Sequence, residues 1–252
     1  MSTMRTTESV EVLSNIALFP GHYRITLGWD PLTVKPGQFV MLRISPTFDP
    51  LLRRPFGIYN IKEGGVEILY RVVGKGTSLM SQLKRGDRVD VLGPLGNGFE
   101  LTEDKDYLMV AGGMGIVPFY MVAKELLRMG KTPRLFFGVR KEEELILADD
   151  LKGLGAEVEF TVQERDGKVV TELLESKDIA GKHVLACGPE GMLEKVASIC
   201  EAKGVESFVS LETSMACGMG VCMGCSVETK EGYRLACVDG PVFNVRELKW
   251  KS

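Results

Sequence analysis

Over the first hundred residues the apolar positions come in short bursts. VEVLSNIAL, HYRITLGW, GQFVMLRI, FGIYNI, GVEILYRVV and DRVDVL are each of strand length and rich in Val, Ile, Leu, Phe and Tyr. Turn signals at Pro36-Gly37, Gly64-Gly65 and Gly86-Asp87 separate them. Six such runs with no long helix between them predict a small antiparallel barrel, the chief helical candidate being Ser78 to Lys84. From about Thr102 the rhythm changes. DYLMVAGG, TPRLFFGVR, AEVEFTVQ, KHVLACG and ESFVSLE read as strands, alternating with helical stretches in IVPFYMVAKELLRMG, DLKGLG, VTELLES and EGMLEKVASICEAKG. That alternation predicts a parallel sheet covered on both faces. From Met215 onward the pattern dissolves into a segment rich in cysteine and glycine. The expected organisation is a multidomain α+β chain: an antiparallel barrel over 1–102, an α/β parallel-sheet domain over 103–212, and a cysteine-rich segment over 213–252. The first join falls among the charged residues Glu100 to Lys105, without a long linker or repeat.

Composition narrows the function classes. Apolar content of 44% and charged content of 26% are those of a globular protein. A net charge of -3 offers no basic field for nucleic acid and no polybasic face for anionic lipid. The opening MSTMRTTESVEVL lacks the apolar core of a signal peptide. The uncharged stretch Tyr107 to Ala123 nears membrane-span length, but Gly112, Gly113, Gly115 and Pro118 make it read as strand, turn and helix start. A soluble cytoplasmic protein is the expectation. Thiols stay reduced there, so the six cysteines are expected to be ligands or buried side chains rather than disulfides.

Four of those cysteines carry the sharpest chemistry. Cys217, Cys222 and Cys225 give C-x4-C-x2-C, and Cys237 follows twelve positions on. These are the intervals of a plant-type [2Fe–2S] loop, in which thiolates converge from a tight turn around inorganic sulfide. Gly218, Gly220 and Gly224 permit such bending and let N–H groups approach the sulfurs. Zinc prefers paired C-x2-C knuckles, and only one such pair exists here. Cys200, on the inner face of a helix, reads as core.

Two further patterns admit a bland and a functional reading. AGGMGIVPF runs from a strand into Gly112, Gly113 and Gly115 and then a helix start, a turn that lets backbone approach a pyrophosphate; tight strand–helix turns are also glycine-rich for packing alone. Arg53-Arg54-Pro55-Phe56-Gly57 is either a solvated strand edge or a guanidinium clamp on a phosphate beside a flat aromatic face. GKGTS, Gly74 to Ser78, offers N–H and hydroxyl donors at a helix start, or is a simple turn. The histidines, His22 and His183, and the acidic run Glu142 to Glu144 read as surface or structural features.

The order barrel, RRPFG, GKGTS, GGMGIVP and CGPEGM resembles the ferredoxin–NADP reductase superfamily of flavoproteins. The resemblance implies FAD on the barrel and NAD on the sheet domain. It implies that Arg54 holds the flavin pyrophosphate with Arg53 and Pro55 beside it, and that Phe56 and Gly57 lie near the isoalloxazine. Tyr70, Arg71, Val72, Gly76 and Thr77 would line the rest of that site, and Gly112, Gly113, Cys187 and Gly188 the nicotinamide route. Gly57 departs from the pattern, since many relatives place Ser or Thr there to bond flavin N5. The run MACGMGVCMGCSV…LACVDGPVFN narrows the likeness to electron-transfer subunits of the NAD-using class of dihydroorotate dehydrogenase. That implies an FMN-containing catalytic partner, a heterotetramer of two plus two subunits, and electrons passing from FMN through the [2Fe–2S] cluster and FAD to NAD+ for pyrimidine synthesis. No catalytic acid or base of this chain is called for in that scheme. Similar modules serve NADH-dependent ferredoxin–NADP oxidoreductases, whose pattern places Asp at the first ligand position, and sulfhydrogenases. A zinc-stapled, non-redox nucleotide-binding regulator is the alternative of a different class. Gln163 and Glu164 after a strand favour NAD over NADP, because a carboxylate repels a 2′-phosphate.

Overall fold

The computed structural model describes residues 6–31, 33–45 and 47–250; the extreme ends of the first and last segments lie outside the described residues. The chain begins with strands β1 (Thr6–Phe19), β2 (His22–Leu27), β3 (Phe39–Arg43), β4 (Arg54–Gly57), β5 (Asn60–Lys62), β6 (Gly65–Arg71) and β7 (Arg88–Leu95). They form one sheet in the order β4-β3-β7-β1-β2-β6-β5, antiparallel throughout. β1 is long enough to bend between two partners: residues 6–11 pair with β7, and from Val12 the ladder passes to β2 through two register shifts. Val12, Ile25, Leu27, Val40, Leu42, Ile68 and Val91 fill the interior.

The run FGIYNI is two strands, β4 and β5, on opposite edges of the sheet. Between them the Ile58 N–H donates to the Gln38 carbonyl (3.0 Å) and the Tyr59 N–H to the Glu67 carbonyl (2.9 Å), so the buried pair Ile58-Tyr59 carries the chain from one edge to the other and curls the sheet. Helix α1 (Lys75–Met80) starts earlier than the expected Ser78. Thr77 is the reason: its hydroxyl oxygen accepts the N–H groups of Val73 (2.9 Å) and Gly74 (3.2 Å) and folds the first turn.

The second half runs β8 (Asp106–Gly112), a 3₁₀ turn over Gly113–Ile116, α2 (Phe119–Arg128), β9 (Arg134–Val139), a 3₁₀ turn over Glu142–Ala148, α3 (Asp149–Gly153), β10 (Glu157–Val162), α4 (Gln163–Asp166), α5 (Val170–Ser176), β11 (Lys182–Cys187), α6 (Glu190–Ala202) and β12 (Ser207–Ser210). The strands align in parallel as β10-β9-β8-β11-β12. Alternation along β8 sends Leu108 and Val110 to one face and Met109 and Ala111 to the other, each against its own cluster. The near-membrane-length stretch is thus a strand, a 3₁₀ turn and the start of α2. Among the described residues no helix is long and apolar enough to cross a membrane.

The cysteine-rich segment is not structureless. It forms a hairpin, β13 (Ser226–Thr229) with β14 (Gly232–Leu235), and then β15 (Val242–Asn244), which adds antiparallel to β12 as the last strand of the parallel sheet. Three residues are too few to show periodicity, and pairing with β12 is what makes them a strand. One core cluster therefore joins all three segments, holding Met41 and Leu95 of the barrel, Val110 and Val184 of the sheet, and Cys225, Cys237 and Phe243 of the last segment. A polar latch adds to the join between barrel and sheet. Asp150 on α3 pairs with Arg24 of β2 and accepts the Tyr59 hydroxyl (2.6 Å), while Tyr120 of α2 packs on the Tyr59 ring at 4.7 Å.

Candidate functional site

A cavity of about 380 Å³ opens between the barrel and the carboxyl ends of the parallel strands. Its barrel wall is Arg54, Pro55, Phe56 and Gly57 of β4, Leu69, Tyr70 and Arg71 of β6, and Thr77 of α1. The opposite wall is Met114, Val117 and Pro118 after β8, Cys187 at the end of β11, and Ser210 to Thr213 at and beyond the end of β12. β8 and β11 are neighbours from which the strand order departs in both directions, and a crevice there is where doubly wound sheets take ligands.

The two barrel motifs meet physically. A Cβ added at Gly76 would lie 2.5 Å from Arg54 Nε, so the absent side chain is what lets the Arg54 stem lie across GKGTS. Neighbouring Arg53 turns away, its guanidinium donating to the Asp90 carbonyl (3.1 Å) and carboxylate (3.2 Å). Phe56 meets Tyr70 edge-on, ring centres 6.1 Å apart. The Tyr70 hydroxyl donates to Asn15 (3.0 Å), and burial outweighs that contact in pushing its pKa up to about 12. Val72 contributes backbone, its N–H bonding the Gly21 carbonyl at 2.8 Å. A Cβ on Gly57 would meet Val117 Cγ1 at 3.1 Å, so even Ser there would press on the opposite wall.

The glycines of the sheet domain lie just behind the cavity. Substituent atoms on Gly112 and Gly188 would strike Met192, and one on Gly115 would fall 2.1 Å from the Cys187 carbonyl oxygen; Gly113 takes a φ of +52°. These glycines pack α6 and the 3₁₀ turn against the strand ends, which sets Cys187 at the cavity floor. Burial raises the Cys187 thiol, reinforced by Glu212 and opposed by a bond with Ser210, so it stays neutral. Glu212 and Thr213 were not foreseen. The available signal was a charged residue directly after a strand end in SLETS, the position where this sheet class places ligand contacts. The Thr213 hydroxyl is buried without a hydrogen-bond partner, whereas Glu212 is an exposed residue of the cavity wall with Arg71 as its charged neighbour. An aromatic and apolar wall, a guanidinium laid over glycine and a partnerless hydroxyl suit a flavin with a pyrophosphate tail.

All six cysteines are free thiols. The four of the loop act on one another: Cys217 with Cys222, and Cys237 with both Cys225 and Cys217. Four thiols drawn from one loop and its return suit a cluster of two irons with two thiolates each. Cys217 Sγ accepts the N–H groups of Met219 and Cys222, both at 3.4 Å; burial by itself raises its pKa, and these bonds together with those from the Cys222 side chain and the Val221 backbone outweigh it and lower the value to about 6. Cys237 is moved the other way, by burial first and then by Cys225. Gly218 (φ +71°) packs on Met41 and Leu95, and Gly220 (φ +86°) on Val238, so the loop bends where only glycine fits. Asn97 ties the loop's return to the barrel, its amide donating to the carbonyls of Val238 (3.0 Å) and Asp239 (3.1 Å). Met215 lines the cavity, so a single residue separates it from the first thiol.

Comparison with known proteins agrees with this arrangement. Residues 212–249 match the iron–sulfur cluster binding domain of dihydroorotate dehydrogenase B, and residues 109–198 the oxidoreductase NAD-binding domain. The chain is 37% identical to the dihydroorotate dehydrogenase B (NAD(+)) electron transfer subunit of Caldanaerobacter subterraneus subsp. tengcongensis, over 97% of this chain and 99% of the relative. The Clostridium acetobutylicum subunit of the same name is 36% identical over 94% and 95%. A solved structure of an NADH-dependent reduced ferredoxin-NADP oxidoreductase superposes with a TM-score of 0.84 at 29% identity, over 96% of this chain and 90% of that one. A ferredoxin NADP+ reductase from Neisseria gonorrhoeae with bound FAD and NADP shares the fold at a TM-score of 0.68 and 21% identity, over 79% and 92%. With near-complete coverage at that identity, the chain belongs to the family of dihydroorotate dehydrogenase B (NAD(+)) electron transfer subunits.

Proposed function

We propose that this chain carries electrons from a catalytic subunit that oxidises dihydroorotate, through a [2Fe–2S] cluster and FAD, to NAD+. The observation that carries the reading is the adjacency of the two sites: the cavity wall at Met215 runs directly into Cys217. The cluster moves one electron at a time, and a flavin joins that traffic to the two-electron exchange with nicotinamide. The chain's own residues bind and orient. Arg54 holds the pyrophosphate, Phe56, Gly57 and Tyr70 bound the flavin ring, and Cys217, Cys222, Cys225 and Cys237 hold the irons. Gly112, Gly113, Cys187 and Gly188 shape the nicotinamide approach. Residues 1–102, 103–212 and 213–252 are the FAD, NAD and cluster parts.

The partner in this reading is an FMN-holding catalytic subunit, two of each forming the working complex. Cys222 is exposed, and beside it Met219, Val221 and Met223 are 43%, 75% and 57% exposed. An apolar surface around a redox centre suits a partner that must both bind and exclude water. The test is to co-purify the chain with the catalytic subunit of its own cell and supply dihydroorotate and NAD+. NADH formation with bleaching of flavin and cluster absorption is expected. A fully loaded complex that reduces ferredoxin but ignores dihydroorotate would instead favour the ferredoxin–NADP oxidoreductase class that the chain also superposes on.

A further inference from the structure

Apart from the cavity and the cysteine loop described above, a second cavity of about 480 Å³ opens at the turn of the β13–β14 hairpin. Lys230 at the turn, Arg234 of β14 and Arg246 beyond β15 line it, and all three are exposed. Their charges are not neutralised. Among the described residues the Lys230 ammonium and the Arg246 guanidinium have no acceptor, and Arg234 stands 3.8 Å from Glu231, beyond hydrogen-bonding distance. The backbone that carries them is fixed. The Lys230 N–H donates to the Glu247 carbonyl (2.8 Å), and the buried Thr229 hydroxyl donates to the Gly232 carbonyl (2.8 Å). Asn244 accepts the Arg246 N–H (3.0 Å) while its amide donates to Glu206 (3.1 Å). Three like charges are thus held around one space by neutral groups that are already in use. They repel one another unless an anion sits among them, and guanidinium forks match the oxygens of a phosphate.

The rest of the wall shows what else the ligand carries. Glu231 and Glu247 also line the cavity, and carboxylates there accept from hydroxyl groups and repel a run of further carboxylates. Among the described residues no aromatic ring lines it, so nothing stacks on a nucleobase. We propose that this cavity binds a small phosphorylated sugar, its phosphate among Lys230, Arg234 and Arg246 and its hydroxyls on Glu231 and Glu247. β13 starts at Ser226, next to Cys225, and β14 ends at Leu235, just before Ala236 and Cys237. A ligand that ties the hairpin turn to Arg246 therefore braces the segment that holds two of the four thiols.

The experiment titrates the whole chain, loaded with cluster and flavin, with ribose 5-phosphate in a calorimeter; ribose and a hexaglutamate peptide are the other arms. Ribose 5-phosphate is expected to bind with a Kd below about 1 mM, and ribose and the peptide at least about tenfold more weakly. Arg234→Ala and Arg246→Ala should each weaken it about tenfold. Lys249→Ala removes the same charge outside the cavity, where Lys249 pairs with Glu228 at 2.8 Å, and should change it by less than about twofold. Flavin absorption and the cluster's paramagnetic signal establish that each variant is folded and loaded. Bound ribose 5-phosphate should also slow the loss of iron to a chelator in the unaltered protein but not in Arg246→Ala. Equal weakening by Arg246→Ala and Lys249→Ala, or tighter binding of the peptide, would overturn the phosphate site in favour of a general surface field. No heat at about ten times that concentration would remove it altogether. Binding that leaves iron loss unchanged would overturn the bracing of the cluster segment.

Discussion

Gly76 shows how a missing side chain can place a charged one. Arg54 can lie across the cavity mouth only because nothing projects from position 76, where a Cβ would be 2.5 Å from its Nε. Gly76→Ala should displace the guanidinium and weaken FAD retention about tenfold, equivalent to about 1.4 kcal/mol, with little change in melting temperature; titration of the apoprotein with FAD measures it. Arg53 and Arg54 teach a related point: adjacent residues in extended chain face opposite ways, so a tandem pair supplies one arginine to the cavity and one to Asp90.

At the scale of elements, the turn after β8 shows why its glycines are there. A Cβ at Gly115 would fall 2.1 Å from the Cys187 carbonyl oxygen, a backbone atom that cannot swing aside. Gly115→Ala should therefore force the 3₁₀ turn away from the end of β11, costing about 1–3 kcal/mol and widening the cavity on the side of the parallel sheet, where the nicotinamide approach is proposed. Urea unfolding reads the first effect and a raised KM for NADH the second. The glycine-rich turn could be read in the chain either as a ligand-approach motif or as packing, and the contacts show two of its glycines, Gly112 and Gly115, packed against helix and strand, while Gly113 supplies the positive φ. The cluster loop is similar. Its ligand spacing was plain, yet the tie from Asn97 lies some 140 positions upstream and no local pattern announces it.

Across the whole molecule, barrel, sheet and cluster segment share one apolar cluster and are latched by Arg24, Tyr59 and Asp150. The Arg24 and Asp150 side chains are 28% and 35% exposed, so solvent screens part of their attraction. Tyr59→Phe removes a single hydrogen bond and should lower stability by about 1 kcal/mol. Asp150→Ala strands both Arg24 and the Tyr59 hydroxyl and should lower it by about 2 kcal/mol, with reduction of the flavin by NADH slowed if the two cavity walls separate. Identical unfolding curves for both variants would show that apolar packing alone holds the walls together. Glu67, lowered overall by Lys62 and Asn60 despite burial, extends this polar seam, since Lys124 of α2 donates to Asn60 at 3.0 Å.

What the amino-acid order determined by itself is what acts over short range. Period-two bursts separated by glycine turns make strands, strand–helix alternation makes a parallel sheet, and three thiols within nine positions make a loop that can grip a cluster. Tertiary structure alone decided which of two arginines meets the cavity, and that FGIYNI crosses between sheet edges. It also decided that Val242–Asn244 completes a sheet begun more than a hundred residues earlier, and that Glu212 stands opposite Tyr70 and Arg71. The physical reason is range. Backbone preference and periodicity are properties of neighbouring residues, whereas a cavity is made by side chains that become neighbours only when separate apolar faces pack together.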